Sequence, residues 1–364
     1  MLDFRKLVRY THFYVEIAPD PSEISLEGFA YWVTSKLDYK KLRKSDIYQM
    51  CLDRLPEVQV IERDYYESPS DMASHIVRCL TCEEIRAKLP ELVCKYFPNA
   101  RRTFFVHIPK TGGTGVRDRL INHTTLPIWD FSYEGTFVFN ALGNPFVVLY
   151  LSKIYENRNR EFVFTGHRPL SDILNRGLLR CYDRSFTVIR NPLEIVVSNV
   201  NYIIDALVNH PGQPDSMAWS AWIERLGLGI PSELEEGMLM KLFEGLITSQ
   251  EFKTNYANPY MKYLGNGDSS YLQAVLSNLL ISNTQVVEIR VIDEYLKMNF
   301  AIDTENYDRN KPPRLLENFE KLSRATKIYV VENLCDKDIN LYFYLSRIMT
   351  AQNVNIIIPQ EHCV

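Results

Sequence analysis

From Phe104 to Thr114 the chain reads Phe-Phe-Val-His-Ile-Pro-Lys-Thr-Gly-Gly-Thr, an apolar run that stops at a loop holding Lys110, Thr111, Gly112, Gly113 and Thr114. One ammonium group, two hydroxyls and two residues without a Cβ are the materials of an anion site. Glycine tolerates φ > 0 and lets backbone N–H groups approach a phosphate, while lysine adds a mobile positive charge. The next residues, Val116-Arg-Asp-Arg-Leu-Ile121, have helical character. The loop therefore opens a helix, whose N-terminus is itself an anion-favouring end. A glycine turn with no ligand is the alternative, but a bare turn needs no lysine and no hydroxyls. The order differs from the Walker phosphate loop, in which lysine follows the last glycine; here it precedes both.

Two further stretches carry chemistry. Ser185-Phe-Thr-Val-Ile-Arg190 reads as a β-branched strand ending on a guanidinium. Asn191 suits a helix cap and Pro192 a first helical turn, which places Ser198 nearly two turns along that helix. Taken singly, Arg190 could be a surface ion pair and Ser198 a solvated helix serine. In Glu161-Phe-Val-Phe-Thr-Gly-His167 an apolar strand delivers a histidine directly after a glycine, where its side chain can emerge at a sheet edge. Histidine titrates near neutrality and suits general-base work; a purely structural histidine is the alternative. Glu161, Asp130 and Glu134 are other candidate bases. His107, at the end of a buried strand, reads as an orienting residue for the loop.

These groups need a frame. Thr103–Val106, Phe146–Leu151, Phe162–Thr165, Ser185–Ile189 and Gln285–Ile289 read as short apolar strands buried on both faces. Between them, Thr114–Asn122, Pro192–Val208, Ser216–Leu226, Ser232–Phe252, Ser269–Ser282 and Arg314–Leu334 have helical spacing. The expected fold is α/β: an open parallel sheet flanked by helices, P-loop-like in placing its phosphate loop after the first strand, with ligand at the strands' carboxyl ends. Residues 1–99 read as a separate, mainly helical extension (Ser25–Leu37, Lys41–Leu55 and Asp71–Phe97), and residues 100–364 as the chemical domain.

His-Ile-Pro-Lys-Thr-Gly-Gly-Thr resembles the 5′-phosphosulfate loop of sulfotransferases that use 3′-phosphoadenosine 5′-phosphosulfate (PAPS), especially the carbohydrate branch that includes the uronyl 2-O-sulfotransferases. Arg190-Asn-Pro followed by Ser198 is similar to that family's 3′-phosphate motif, and Thr165-Gly-His167 to the position of its catalytic histidine. The resemblance implies PAPS as donor, held at its 5′ end by Lys110, Thr111, Gly112, Gly113 and Thr114 and at its 3′-phosphate by Arg190 and Ser198. It implies Lys110 and His167 as catalytic groups, and a hydroxyl-bearing acceptor such as a glycan or glycolipid. Arg117 would face the 3′-phosphate side or the acceptor, and Lys311, in Arg309-Asn-Lys-Pro-Pro313, a loop over the cofactor. Asp338-Ile-Asn-Leu-Tyr342 resembles an Asp-x-x-Leu-Tyr element that closes the family's domain. The chain departs from many relatives at Gly115, where they carry serine. No aspartate stands convincingly at a strand end to hold Mg²⁺. A sulfuryl group carries less charge than a phosphoryl group, so no metal is expected. A nucleotide-dependent phosphotransferase of P-loop-like fold and a non-catalytic nucleotide- or glycan-binding module are the alternatives.

Bulk properties set outer limits. The chain has 364 residues, net charge −4 and 24% charged residues, so no global basic field draws nucleic acid or an acidic polymer, and any anion site must be local. The N-terminus lacks the apolar core of a secretory signal, and no apolar run reaches ~18 residues, which points to a cytoplasmic protein with no integral membrane segment. A trimmed version of an anchored Golgi relative is the alternative. Seven cysteines at scattered positions do not form a disulfide framework. His75, Cys79 and Cys82 could share one helix face, with buried structural thiols preferred to metal or redox chemistry.

Overall fold

The computed structural model describes residues 4, 5, 7–9, 12, 38–51, 65–81, 83–130, 145–175, 178, 184–229, 236–266, 271–302 and 322–352. The elements, in chain order, are α1 (Lys44–Cys51), α2 (Pro69–Thr81), α3 (Glu83–Tyr96), β1 (Arg102–Val106), α4 (Gly113–His123), β2 (Ile128–Asp130), α5 (Pro145–Glu156), β3 (Phe162–Gly166), α6 (Leu170–Asn175), β4 (Arg184–Ile189), α7 (Pro192–Asn209), α8 (Pro214–Arg225), α9 (Glu236–Thr248), α10 (Gln250–Tyr256), α11 (Pro259–Leu264), α12 (Leu272–Ser282), β5 (Thr284–Glu288), α13 (Ile292–Phe300), α14 (Arg324–Asn333) and α15 (Asp338–Gln352). The strands form one parallel sheet of order β2-β3-β1-β4-β5, flanked by helices. Every residue of β1 and β3 is buried, as a sheet covered on both faces requires.

Strand order decides where a ligand can sit. From β1 the chain travels outward to β2 on one side, whereas from β4 it travels to β5 on the other. The order therefore reverses between β1 and β4. In open α/β sheets such a switch point, at the carboxyl ends of the strands, is where ligands bind.

The chain divides into two compact units that interleave along the sequence. The first comprises residues 1–106, 125–186 and 281–284, and the second residues 107–124, 187–280 and 285–364. In the first, Arg102–Val106 pair in register with Phe162–Gly166, and Ile128–Asp130 with Val163–Thr165. Its centre is aromatic: Phe104 lies 4.7 Å from Phe164 and Phe105 stacks 4.7 Å from Phe186, ring centre to ring centre. Such pairs add ~0.5–1.5 kcal/mol each beyond their area burial. In the second, α7 is the core helix. Val196, Val200, Ile203, Ile204 and Leu207 are all buried and pack with Trp222, Leu242, Phe243, Leu246, Phe252 and Val330.

The sequence pattern misled in places. Residues 146–151, expected as a strand, lie inside helix α5. A short apolar run does not separate strand from buried helix, and Pro145 occupies a first-turn position that favours helix. Strand β2 was not anticipated; its three residues are too few to show alternation. Segment 232–252 is two helices rather than one, because Ser249 breaks it: the hydroxyl accepts from the Phe252 N–H at 3.2 Å and caps α10. Segment 71–97 likewise divides into α2 and α3. Ser25–Leu37, Glu134, Cys82, Lys311 and residues 314–321 lie outside the described residues.

Candidate functional site

The second unit carries the phosphate-loop candidates. Past His107 the backbone turns twice into left-handed conformations, at Lys110 (φ 64°) and Gly112 (φ 92°). The turn closes inward through Thr111, whose N–H (3.4 Å) and hydroxyl (2.9 Å) both donate to the Ile108 carbonyl. Thr111 is fully buried, so its side chain braces the loop from within. Gly112 then stands as the N-cap of α4 with no side-chain cap, and helical bonding begins as the Val116 N–H donates to the Gly112 carbonyl at 3.2 Å. The opening N–H groups of α4, starting at Gly113 and Thr114, thus carry no intrahelical bond of their own.

Each loop glycine has a local reason. A Cβ on Gly113 would lie 1.9 Å from Cδ2 and 2.1 Å from Nε2 of the buried His107 ring. A Cβ on Gly112 would lie 2.5 Å from Ile289 Cδ1, at a φ that L side chains avoid. At Gly115 a Cβ meets nothing within 4 Å, so the departure from serine there is not steric. The buried His107 ring thus packs closely against the loop at Gly113.

Lys110 does not extend into water. Its ammonium lies 3.1 Å from the centre of the Tyr202 ring, a cation–π contact. Burial pushes its pKa down to about 8, with the Asp205 carboxylate pulling the other way. Tyr202 belongs to α7 and lies one turn, ~6 Å, beyond Ser198. Glu194, Ser198 and Tyr202 follow one another at four-residue intervals along α7, and Arg190 lies just before its cap, Asn191. Both expected anchors thus lie beside α7 within one unit, Arg190 at its start and Lys110 at Tyr202, about three turns further along. The helix entry is as expected: Asn191 Oδ1 accepts from the Leu193 N–H at 3.0 Å, and Pro192 takes the first turn.

Arg190 is held at both backbone groups. Its N–H donates to the Tyr260 hydroxyl at 2.7 Å, and that hydroxyl donates in turn to the Arg190 carbonyl. Tyr260 is fully buried in α11, and the N–H groups of Tyr260 (2.6 Å) and Met261 (3.1 Å) donate to the Asp338 carboxylate. Asp338 thereby caps α11. Asn258 returns the favour, its Oδ1 accepting from the N–H groups of Lys337 and Asp338, each at 3.2 Å, at the start of α15. Burial raises the Asp338 pKa to about 7, against the two N–H bonds that lower it. The Asp338 element is therefore structural, and it acts on Arg190 through Tyr260. The Arg190 side chain pairs with Glu194, Nε to Oε2 at 2.6 Å.

The remaining candidates are dispersed. Arg117 bonds Asp118 Oδ1 through Nε (3.3 Å) and Nη2 (3.2 Å). Buried Arg119, which the sequence did not single out, ion-pairs with Asp293 and ties α4 to α13. His167 belongs to the first unit, half-buried and immediately past the carboxyl end of β3. Glu161 precedes β3 and accepts from the Thr103 hydroxyl at 3.2 Å, so it serves the amino edge of the strands rather than the carboxyl edge. Asp130 ends β2, opposite Thr165, and so supplies a strand-end aspartate that the sequence reading lacked. Cys79 is buried with its sulfur 3.2 Å from His75 Nε2, which also lies 3.1 Å from the Lys44 carbonyl oxygen. Among the described residues no three His, Cys, Asp or Glu side chains cluster as a metal site.

Sequence reasoning missed Tyr202, Tyr260 and Asn258. Only Tyr202 had a local signal, its four-residue spacing from Ser198. No family model, no curated protein and no solved structure matches the chain.

Proposed function

We propose that the protein is a PAPS-dependent sulfotransferase acting on a hydroxyl, most simply of a carbohydrate. The observation that carries this reading is the presence beside α7, within one unit, of two separate cationic groups: Arg190, just before its cap and paired with Glu194, and Lys110, at Tyr202. A donor with anionic groups at both ends of a nucleoside calls for two anchors of this kind.

The residues present fit such a donor. An uncapped helix start at an exposed, left-handed Gly112 is a cradle that a side chain would fill. At the other anchor the Glu194 carboxylate already occupies the Arg190 fork, as a stand-in for a phosphate oxyanion. That pair joins a carboxylate 52% exposed, and exposed pairs contribute under ~1 kcal/mol, so a phosphate can displace it.

Backbone N–H groups at Gly113 and Thr114 would hold the 5′-phosphate, and Arg190 with Ser198 the 3′-phosphate. When bound, PAPS supplies an activated sulfuryl group. Lys110 would place its ammonium against the negative charge that develops at the phosphate oxygen. His167 is the proposed base for the acceptor hydroxyl, and its loss should lower turnover by roughly 10²–10⁴-fold.

The rival is a Mg²⁺-nucleotide phosphotransferase, for which Asp130 at the end of β2 is the one favourable observation. Calorimetry with 3′-phosphoadenosine 5′-phosphate (PAP) and with ATP, each with and without Mg²⁺, separates the two. Tighter binding of PAP, indifferent to Mg²⁺ and weakened by Arg190→Ala, is expected. Tighter binding of Mg²⁺–ATP would end the sulfotransferase reading. Among the described residues no helix is long and apolar enough to cross a membrane.

A further inference from the structure

The loop at Lys110 does not hold its shape alone. Lys110 is a non-glycine residue at φ 64°, in a backbone region that persists only where the surroundings hold it. Thr111 braces the turn from within, and the His107 ring lies against Gly113. A third support comes from another strand. A Cβ on Gly112 would meet Ile289 Cδ1 at 2.5 Å, so the Ile289 side chain rests against the loop at its second left-handed residue.

Ile289 is itself fixed by its neighbours. It opens a single 3₁₀ turn, Ile289–Val291, directly after β5. Glu288, the last residue of β5, caps that turn: its Oε2 accepts from the Arg290 N–H at 3.1 Å. The Arg290 side chain folds back on the same carboxylate, Nε to Oε1 at 2.8 Å and to Oε2 at 2.9 Å. Tyr342 of α15 donates its hydroxyl to Oε1 at 3.3 Å. Glu288 is only 8% exposed, a depth at which a carboxylate is tolerated when it is paired and hydrogen-bonded. Residue 290 thus closes on residue 288 through backbone and side chain, with Ile289 held between them. The same segment makes a second tie further on, where Asp293 of α13 pairs with Arg119 of α4, the helix that the loop opens.

Helix α15 reaches both anchors. Asp338 and Tyr342 are four residues apart on it and share a face. Asp338 acts through Tyr260 on Arg190, after β4, and Tyr342 acts on Glu288 at the end of β5, the neighbouring strand.

We propose that Glu288 is a positioning residue for the anion cradle: through the Ile289 turn it holds Gly112, and with it the opening N–H groups of α4, in the geometry that receives a 5′-phosphate. The carboxylate acts at one remove, since its oxygens are engaged by Arg290 and Tyr342. The inference rests on the sulfotransferase reading only in naming a nucleotide 5′-phosphate as the occupant.

Two variants of the full chain test it. Ile289→Ala removes the contact with Gly112 and leaves the cap. Glu288→Gln keeps the side-chain length and loses the charge that gathers Arg290 and Tyr342. Titrations with PAP, adenosine 5′-monophosphate and adenosine 3′-monophosphate read the two ends of the nucleoside separately. Both variants should lose about tenfold in affinity for PAP and the 5′-monophosphate, the scale of one charge-assisted hydrogen bond, and less than about twofold for the 3′-monophosphate. Ile289→Leu, which conserves volume, should stay within about twofold of wild type.

Hydrogen exchange of the ligand-free chain reads the loop directly. Amides of residues 110–116 should exchange at least about threefold faster in both variants, while those of β3 stay unchanged. Unchanged loop exchange in either variant overturns the proposal, as does loosening that spreads equally through β3. Equal losses for the 3′- and 5′-monophosphates, or a loosened loop with undiminished 5′-phosphate binding, overturn it too. A chain that binds none of the three nucleotides yet shows the loosened loop loses the donor assignment and keeps the positioning role.

Discussion

Lys110 and Arg190 are brought to helix α7 by different routes. Lys110 is placed by its side chain: the ammonium rests on Tyr202, and burial has brought its pKa down to about 8. Arg190 is placed by its backbone, pinned at N–H and carbonyl by one tyrosine hydroxyl, while its guanidinium engages an exposed glutamate. The charge at the first anchor is thus conditional on pH and local desolvation. At the second it is permanent, because guanidinium does not titrate in this range. A donor gripped by both would meet one adjustable cation and one fixed one. That is what a transfer step needs at the reacting end and a recognition step at the far end.

Removing the adjustable cation should have the largest effect. Lys110→Ala is expected to lower sulfuryl transfer by about 10²–10³-fold, the scale for losing a preorganised donor at a developing anion, while PAP affinity falls far less. Single-turnover rates alongside PAP titration read the two separately. A variant that loses affinity and rate in equal measure would make Lys110 a mere anchor and erase the contrast with Arg190.

The loop beneath Lys110 has its own test. Gly113→Ala drives a methyl group to within 1.9 Å of the buried His107 ring and should cost ~1–3 kcal/mol, as overpacking does. Gly115→Ala, with open space around it, should be neutral or stabilising by up to ~1 kcal/mol. Thermal melts of the two variants should move in opposite directions or differ clearly in size.

On the Arg190 side the pin is the target. Tyr260→Phe removes the hydroxyl that serves both backbone groups of Arg190 and should cost ~1–3 kcal/mol of stability. PAP affinity should drop with it, although the variant touches no ligand atom. Affinity that holds while stability falls would mean the pin serves α11 alone.

Titration should then separate the two anchors without any mutation at Arg190. The Lys110 ammonium is charged below about pH 8 and neutral above it. PAP affinity should therefore fall by about tenfold between pH 7 and pH 9.5, and Lys110→Arg should flatten the profile. Stability runs the other way. Between about pH 8 and 10.5 the unfolded chain holds the Lys110 proton that the folded chain has released, so this group makes folding more favourable as pH rises.

How much of this the sequence could disclose depends on distance along the chain. The Lys110 loop, the Asn191 cap and the Pro192 entry are local devices, and each was legible because residue type dictates backbone geometry over four or five positions. The strand-end positions of Arg190 and His167 were legible for the same reason. Residues 146–151 misled because six apolar residues satisfy a strand and a buried helix equally. β2, and with it the placement of Asp130, was too short to carry a period. Tyr202 under Lys110 and Tyr260 under Arg190 are long-range partners, and of the two only Tyr202 carries a hint, its four-residue spacing from Ser198. The Asp338 element was visible as a motif, but its mechanical link to Arg190 runs through a hydroxyl and two amides that only the folded chain brings together.

The smallest expected effect bears most directly on whether the Arg190 fork is a binding site at all. Glu194 pairs with the Arg190 guanidinium at 2.6 Å, and any phosphate must displace it. Glu194→Gln keeps the side-chain length and removes the competing charge. An exposed pair of this kind is worth ~0.2–1 kcal/mol, so PAP should bind about two- to fivefold more tightly to the variant, while ATP, lacking a 3′-phosphate, should gain little. The gain should also shrink with added salt, since screening weakens the wild-type pair as well as the phosphate contact. If Glu194→Gln instead weakens PAP binding, the carboxylate is aligning the guanidinium rather than competing for it, and the second anchor is a supported fork instead of an occluded one.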